Sequence, residues 1–256
     1  MKSCLRLFCL LSVCLAAPLA TQVRAQEATL DAPAATDLPG AREIFQKHLD
    51  AIGDSAAIAK VKNQKMTGKI SMPAMGINGT LEIIQVKPDK IATVMEMPQV
   101  GKTTQVFDGE VGWIDSAMMG MQMMTDEQIA QTKTQMAVET MQGFKDTFKK
   151  ARVVAKAEFD GAMAYQMDAT TKTDTEMSMF FDVETGLMRG MKMTAATPMG
   201  DMPMEIMMRD YKVTGPMKMS RTTVIKAGPT EMVMTIESVD LDVDVPEETF
   251  QRPADF

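Results

Sequence analysis

The residues best suited to chemistry in this sequence are the methionines of the stretch SAMMGMQMMTDEQ, residues 116–128. Five of the seven residues from 118 to 124 carry a thioether sulfur. Thioethers are soft ligands that favour Cu(I), and three that converge could hold this ion without any cysteine. The residues of this candidate Cu(I) site are Met118, Met119, Met121, Met123 and Met124.

Other residue types give little support to catalysis or to a site for a harder metal. The one histidine, His48, lies on the apolar stripe of a predicted helix, where we expect a buried structural role. It has no second histidine with which to bind zinc, and no G-x-S-x-G motif supplies a nucleophile. Asp240, Asp242 and Asp244 share one side of a predicted strand, which favours a solvated face over a calcium site. We therefore predict a protein that is not an enzyme and uses no cofactor.

Methionine is common along the whole chain, which weakens the case for one special cluster. The sequence has 29 methionines, whereas only six leucines follow residue 25. Many of these methionines alternate with other residues, and residues two apart point to the same face of a strand. The alternating sets are Met177 and Met179, Met191 and Met193, Met202 with Met204 and Met208, Met217 and Met219, and Met232 and Met234. Such a face either packs as an ordinary core or lines a cavity, where flexible, polarizable methionine adapts to ligands of irregular shape.

The first 25 residues have the features of an export signal. Lys2 and Arg6 precede an apolar run that is short for a membrane span, and the tripeptide V-R-A ends at Ala25. All 3 cysteines lie in this segment, so the mature chain would contain no disulfide. We predict cleavage near Ala25 and a periplasmic or secreted location. The alternatives are a retained membrane anchor and acylation at Cys14.

The remaining chain is predicted to form one domain behind a flexible linker. Residues 26–40 are rich in alanine, proline and acidic residues, which is typical of a linker. Residues 41–256 are enough for a single domain with its own core. Without the signal, the chain has 24 basic and 34 acidic residues, so its net charge is −10. This charge excludes nucleic acid as a partner, because nucleic-acid binding requires a basic surface.

The hydrophobic pattern predicts an α+β domain with a large antiparallel sheet. Apolar residues at helical spacing indicate a first helix over 41–52, and strand-length segments begin near residue 62. Asn78-Gly79 predicts a hairpin turn. A second helix is predicted over 125–149, and strand-length segments then continue to the end of the chain. In total we expect about eleven strands.

Four stretches of the sequence resemble the periplasmic LolA/LolB/LppX-like superfamily of outer-membrane lipoprotein-sorting proteins. The opening AREIFQKHLDAIGDSAAIAKVKNQKMTGKI is similar to the first helix and strand of that family. The later matches lie in VFDGEVGWID, MFFDVETGL and VDVPEETFQRP, so the resemblance extends over nearly all of 41–256. The matching residues are Gly109, Gly112, Trp113, Phe180, Phe181, Asp182, Thr185, Gly186, Leu187, Pro246, Phe250 and Pro253.

The resemblance implies a curved antiparallel half-barrel with a helical lid over an apolar cavity. Because known members bind lipids or the acyl chains of lipoproteins, the expected ligand is a lipid, an acyl chain or another apolar molecule. A lipoprotein or a membrane-associated protein is an expected partner. The residues predicted at the rim or lining of the cavity are Trp113, Met118, Met119, Met121, Met123, Met124, Met136, Met177, Met179, Met191, Met193, Met204, Met232 and Met234. A structural or interaction module with a filled core and no ligand is the remaining alternative.

Overall fold

One continuous antiparallel sheet of 13 strands dominates the computed structural model, which describes residues 37–98, 100–139, 144–197 and 200–252. The helices are α1 (Ala41–Ile52), α2 (Ser55–Lys60), α3 (Asp126–Glu139) and α4 (Phe144–Thr147). The strands are β1 (Asn63–Met72), β2 (Ile77–Val86), β3 (Lys90–Met97), β4 (Gly101–Phe107), β5 (Gly112–Ser116), β6 (Gly120–Met123), β7 (Phe148–Phe159), β8 (Ala162–Thr171), β9 (Glu176–Asp182), β10 (Met188–Thr197), β11 (Gly200–Arg209), β12 (Lys212–Thr214), β13 (Met217–Met219), β14 (Thr222–Ala227) and β15 (Thr230–Leu241). The predicted signal and the linker up to residue 36 lie outside the described residues.

Two meanders are joined edge to edge to make this sheet. The strand order is β6-β5-β4-β3-β2-β1-β15-β14-β11-β10-β9-β8-β7, so β6 and β7 are the two edges. β15 pairs with β1, and β14 pairs with β11, while β12 and β13 form a separate two-stranded ribbon. The α+β class and the large open antiparallel sheet are confirmed. The strands outnumber the predicted eleven because β6, β12 and β13 are only three or four residues long.

The cross-strand register places most methionines on one face of the sheet, which we call the inner face. Directly paired residues point to the same side, and Met179 pairs with both Met167 and Met191 across three strands. The register thus confirms that the alternating methionines of β9, β10, β11 and β15 share a face, whereas Met217 and Met219 lie in the separate β12–β13 ribbon. The methionines at inner-face positions of strands are Met66, Met72, Met95, Met97, Met163, Met167, Met177, Met179, Met188, Met191, Met193, Met202, Met204, Met208, Met232 and Met234.

The sheet curls around its inner face, because one short helix reaches both of its halves. In α3, the Nζ of Lys133 lies 5.5 Å from the ring centre of Phe107 on β4, and the same helix also contacts β10. The seven strand spacings between β4 and β10 would span about 34 Å in a flat sheet. The 14 residues of α3 span only about 21 Å. The inner face is therefore concave, and α3 crosses over it.

The first helix covers the inner face of the second meander. Ile44 and Phe45 of α1 are buried against β7–β10. The ring of Phe45 makes edge-to-face contacts with Phe144 and Phe148, with centres 5.5 and 5.7 Å apart. Each such ring pair contributes about 1 kcal/mol beyond the burial of apolar area. These contacts hold α1 in place on the concave side.

The prediction of one helix over 125–149 is wrong at its C-terminal part. The described structure has α3 ending at Glu139 and a single turn, α4, ending at Thr147. Phe148 is already the first residue of β7 and is fully buried in the core under α1. Its spacing from Phe144 therefore reflects two elements that pack into one core, and not one continuous helix.

The prediction of a hairpin turn at Asn78-Gly79 is also wrong. Both residues lie inside β2, and the chain turns earlier, in a 3-10 turn at Pro73–Met75. A Cβ atom added at Gly79 would lie 2.2 Å from the carbonyl oxygen of Glu96 on β3. Glycine is required here by the close approach of a neighbouring strand, which a local turn signal does not reveal.

His48 anchors α1 to the turn after β9, and its burial agrees with the expected structural role. The side chain is 1% exposed, and its ring centre lies 5.3 Å from that of Phe181. Nδ1 donates to the carbonyl of Gly186 at 3.1 Å, which leaves Nε2 without a partner in the described part of the chain. Burial lowers the pKa of His48 to about 4, although the hydrogen bond to Gly186 acts in the opposite direction.

Burial of a neutral His48 predicts that mild acid destabilises the fold. The pKa of this imidazole is about 4 when folded and about 6.5 when unfolded, so between these values the unfolded chain binds the extra proton. The free energy of unfolding should fall by about 3 kcal/mol from this group as the pH decreases from 7 to below 4. Urea denaturation at a series of pH values measures this slope.

The control for this prediction is His48→Gln, because glutamine can still donate to Gly186 but does not titrate. Carboxylates contribute to acid unfolding equally in both proteins, so the difference between their slopes isolates the imidazole. Between pH 4 and 7 the variant should lose less stability than the parent. Equal slopes in the two proteins would contradict the prediction.

Candidate functional site

Six apolar side chains at the centre of the inner face remain half-buried, and we call the concave surface that they form the trough. They lie on β11, β14 and β15, the strands at the middle of the curved sheet. Ile225 pairs with Ile206 on one side and with Met232 on the other, so the side chains form one continuous surface. The trough residues are Met204, Ile206, Ile225, Met232, Met234 and Ile236. Accessible apolar side chains on a concave surface are typical of a binding site for an apolar ligand.

Fully packed clusters flank the trough on both sides. Toward β7–β10, Met177 and Met179 are at most 5% exposed under α1. Toward β1–β3, Ile70 and Leu81 are buried in a second cluster. Above the inner face, Met136 of α3 is also buried. The trough is therefore the part of the inner face whose side chains the described helices leave accessible.

One charged side chain, Arg221, belongs to the inner face of these central strands. Its backbone carbonyl accepts the N–H of Ile236, which extends the pairing of β14 with β15. Arg221 lies directly before β14, and both the alternation of Thr223 and Ile225 and its hydrogen bond to Thr214 of the β12–β13 ribbon place its side chain on the inner side. Its Nη2 donates to Oγ1 of Thr214 at 2.6 Å, whereas the buried Nε and Nη1 have no hydrogen-bond partner among the described residues.

The β12–β13 ribbon covers the end of the trough at which Arg221 lies. A Cβ atom added at Gly215, in the ribbon turn, would lie 2.5 Å from Cδ1 of Leu241. Leu241 pairs with Gln64, whose buried Oε1 also lacks a partner in the part of the chain described. Gly53 at the end of α1 bridges to Met217 of the ribbon. The trough thus has a polar, covered end, and the 6 residues of β14 extend about 20 Å away from it.

The five methionines of the predicted Cu(I) site do not surround one point. Met118 and Met119 occupy the turn between β5 and β6 and are 76% and 63% exposed. Met121 and Met123 lie at outward-facing positions of β6, whereas Met124 is buried at the inner face. These five side chains therefore lie at three locations: the exposed turn, the outer face and the inner face of the sheet.

Trp113 also lies on the outer face, away from the inner methionines. It pairs with Val106 and packs with Ala92 and with Phe250 of the turn that follows β15. The C-terminal segment therefore covers this tryptophan from outside. Which face of β5 carries Trp113 could not be read from the sequence, because it depends on where the distant C-terminal segment packs.

The other predicted cavity residues are brought together on the inner face or above it. Met204, Met232 and Met234 form part of the trough, and Met136 lies in the helix that crosses over it. The remaining four are in rows next to the trough, where Met193 is half-buried and the others are buried under α1. These four are Met177, Met179, Met191 and Met193.

Sequence reasoning missed Ile206, Ile225, Ile236 and Arg221. The three isoleucines occupy the same alternating strand positions as the methionines, so the two-residue period was their signal in the sequence. The signal for Arg221 was available in RTTVIKAG, where the arginine is two and four residues before inward-facing Thr223 and Ile225. A single cation on the apolar side of an alternating strand indicates a polar group held within an apolar site.

A concavity with a volume of about 1040 Å³ lies along β7–β11, and most of its lining residues are on the outer face, although the trough residue Met204 also borders it. Its lining includes Ser178 and Lys192, which point outward where Met177 and Met193 point inward. Lys192 forms an ion pair with Glu205 there, at 3.4 Å. Within the described ranges, no three His, Cys, Asp or Glu side chains are grouped to hold a metal ion. No helix described here is both long enough and apolar enough to cross a membrane.

No protein-family model and no curated protein sequence matches the chain. Solved structures do match it. A LolA superfamily protein from Nitrosomonas europaea has a TM-score of 0.55 at 10% identity, over 84% of this chain and 99% of that one. A domain from Vibrio parahaemolyticus named for outer-membrane lipoprotein sorting has a TM-score of 0.51 at 11% identity, over 81% and 94%. A DUF1329 family protein from Desulfovibrio piger has a TM-score of 0.53 at 9% identity, over 82% and 96%. The chain therefore has the fold of the LolA-like lipoprotein-sorting proteins.

Proposed function

We propose that this chain is an exported, non-enzymatic protein that binds a lipid, an acyl chain or another apolar molecule in the trough. The observation that carries the proposal is the set of six half-buried apolar side chains on the concave face, beneath α3. The names of the solved structures with the same fold, which refer to LolA and to lipoprotein sorting, agree with it. The features of an export signal before Ala25 favour a periplasmic location, and a lipoprotein or a membrane-associated protein is the proposed partner.

The chemistry of the trough suits an acyl chain in particular. Transfer of each methylene group from water to an apolar surface contributes about 0.8 kcal/mol, so a long chain gains several kcal/mol beyond the entropy lost on binding. Methionine adapts its three side-chain torsions to a flexible chain more easily than branched residues do. A length of about 20 Å along the 6 residues of β14 accommodates an extended long acyl chain.

A charge introduced into the trough should weaken this binding. Met234→Glu places a carboxylate beside the proposed acyl chain, and its desolvation should weaken the affinity for a fluorescent fatty acid by at least about tenfold. Met234 is half-buried, so the variant can keep its charge in water when no ligand is present. Titration of both proteins with the fluorescent probe measures the effect.

The matched control is Met163→Glu, which changes an exposed methionine beside the β7–β8 hairpin turn, three strands away from the trough. This variant should bind the probe like the parent protein. The parent, purified gently, should also carry an apolar ligand that native mass spectrometry and lipid extraction detect. The proposal fails if no ligand co-purifies and the parent takes up no fatty acid, or if the two glutamate variants bind equally well.

A second candidate function, soft-metal binding, is supported by one specific row of methionines. Met193 pairs directly with Met177 and with Met204, so three thioethers lie side by side on adjacent strands. Cross-strand Cβ atoms lie about 5 Å apart, a distance that flexible methionine side chains can close around one Cu(I) ion. The next residues in this row are Ala169 and Ala227, which leave room for the sulfur atoms to converge.

Replacement of this row by leucine tests the second function without disturbing the core. Met177→Leu combined with Met193→Leu keeps side-chain volume but removes two sulfur atoms, so the affinity for Cu(I) should fall by at least about tenfold. Anaerobic competition with a Cu(I) chelator measures it. Because thioethers do not titrate, the parent affinity should not change between pH 5.5 and 7.5.

Met118→Leu with Met119→Leu is the control pair for copper, because these residues form an exposed turn. This control should bind Cu(I) like the parent. Loss of Cu(I) binding only in this control would assign the Cu(I) site to residues 118–124 instead. Equal affinity for Cu(I) in the parent and in both double variants would contradict the proposal of a soft-metal site.

A further inference from the structure

We propose that Arg221 anchors the anionic head group, a carboxylate or a phosphate, of an amphiphile whose tail lies in the trough. The inference deepens the proposed function and rests on it. It identifies the ligand as an amphiphile with one negatively charged end, such as a fatty acid or a monoacyl phospholipid. A neutral lipid would leave the arginine unused.

The hydrogen-bond inventory of Arg221 is incomplete in the described structure. A guanidinium group has five N–H donors and cannot lose its charge at physiological pH. Thr214 accepts from Nη2, but Nε and Nη1 are buried and have no partner among the described residues. These two nitrogens carry three donors, all of which a carboxylate or phosphate can satisfy.

Among the described residues, no acidic side chain neutralises this arginine. No carboxylate in the described ranges forms an ion pair with Arg221, and the acidic residue closest on β15, Glu237, pairs with Lys69 at 2.6 Å on the outer side. Arg221 is half-buried as a residue, but its Nε and Nη1 are buried without a described partner, and buried charged donors that stay unpaired destabilise a fold. Retaining the arginine is favourable only if an anion from outside completes the site, and the adjacent trough indicates that this anion carries an apolar tail.

The location of Arg221 gives the ligand a direction. The arginine precedes β14 at the end covered by the β12–β13 ribbon, where the unpartnered Oε1 of Gln64 also lies. From there the apolar surface runs through Ile225 toward the opposite end of the strand. The other inner-face positions of β11, β14 and β15 are uncharged, so one anionic group per ligand is expected.

A comparison of ligands with the same tail and different heads tests this assignment. Palmitate and a monoacyl glycerophosphate should each bind the parent protein at least tenfold tighter than hexadecanol. Arg221→Met keeps a long apolar side chain but removes the charge, so it should erase this preference and leave the affinity for hexadecanol unchanged or higher. Arg152→Met, which changes an exposed arginine on the outer face, should retain the preference.

The outcomes separate this inference from the proposed function. If palmitate and hexadecanol bind the parent equally well, or if Arg221→Met keeps the preference, the arginine is not the anchor but the trough still binds acyl chains. If neither compound binds, both proposals fail. If one of the two anionic compounds is preferred over the other, the head group is a carboxylate or a phosphate accordingly.

The stability of the unliganded protein supplies a second measurement. Arg221→Met removes two buried nitrogens that have no described partner, so the melting temperature of the delipidated variant should be higher than that of the delipidated parent. Palmitate should raise the melting temperature of the parent more than that of the variant. A lower melting temperature in Arg221→Met would show that the arginine stabilises the fold by itself and would overturn the inference.

Discussion

The two-residue period of the β-strand, kept in register across 13 strands, is the constraint on which this molecule depends. A shift of one residue in any pairing would move that strand's methionines to the solvent side. The register is preserved through β-bulges in β15, β10 and β7, each of which accommodates an extra residue without exchanging the two faces of the sheet. Because of this, side chains far apart in sequence, such as Met66 and Met234, contribute to a single surface.

The curvature of the sheet makes the inner face concave and therefore a candidate binding site. A flat sheet of this width would need long helices to cover it, whereas α3 has only 14 residues and α1 has 12. The sheet therefore bends toward these helices, and the side chains beneath α1 become a packed core. The central strands β11, β14 and β15 lie beyond the core of α1, so their apolar side chains stay half-buried. The difference between core and trough is thus a matter of which rows a short helix reaches, and not of residue type.

The strands and many of their buried sides could be predicted from the sequence, but the sheet face on which every residue lies could not. The alternation of Met202, Met204 and Met208 is long and regular enough to specify a strand and its buried side. Residues 118–124 gave no such information, because a turn and a strand end lie between Met119 and Met124. The same limit applies to Trp113, which faces the distant C-terminal turn at Phe250. Local periodicity predicts pairing partners within a strand, whereas tertiary contacts decide what covers each face.

The role of methionine in the trough follows from its difference from leucine. Both residues bury similar apolar area, so either would make a stable core at the rows under α1. On a surface that is left accessible, the unbranched thioether can follow the shape of a flexible ligand and still fill part of the space when the ligand is absent. An apolar surface of this kind does not by itself orient a bound ligand. Orientation must then come from a fixed polar group, and Arg221, held by Thr214 at the covered end, is placed where it can provide that direction without interrupting the apolar surface.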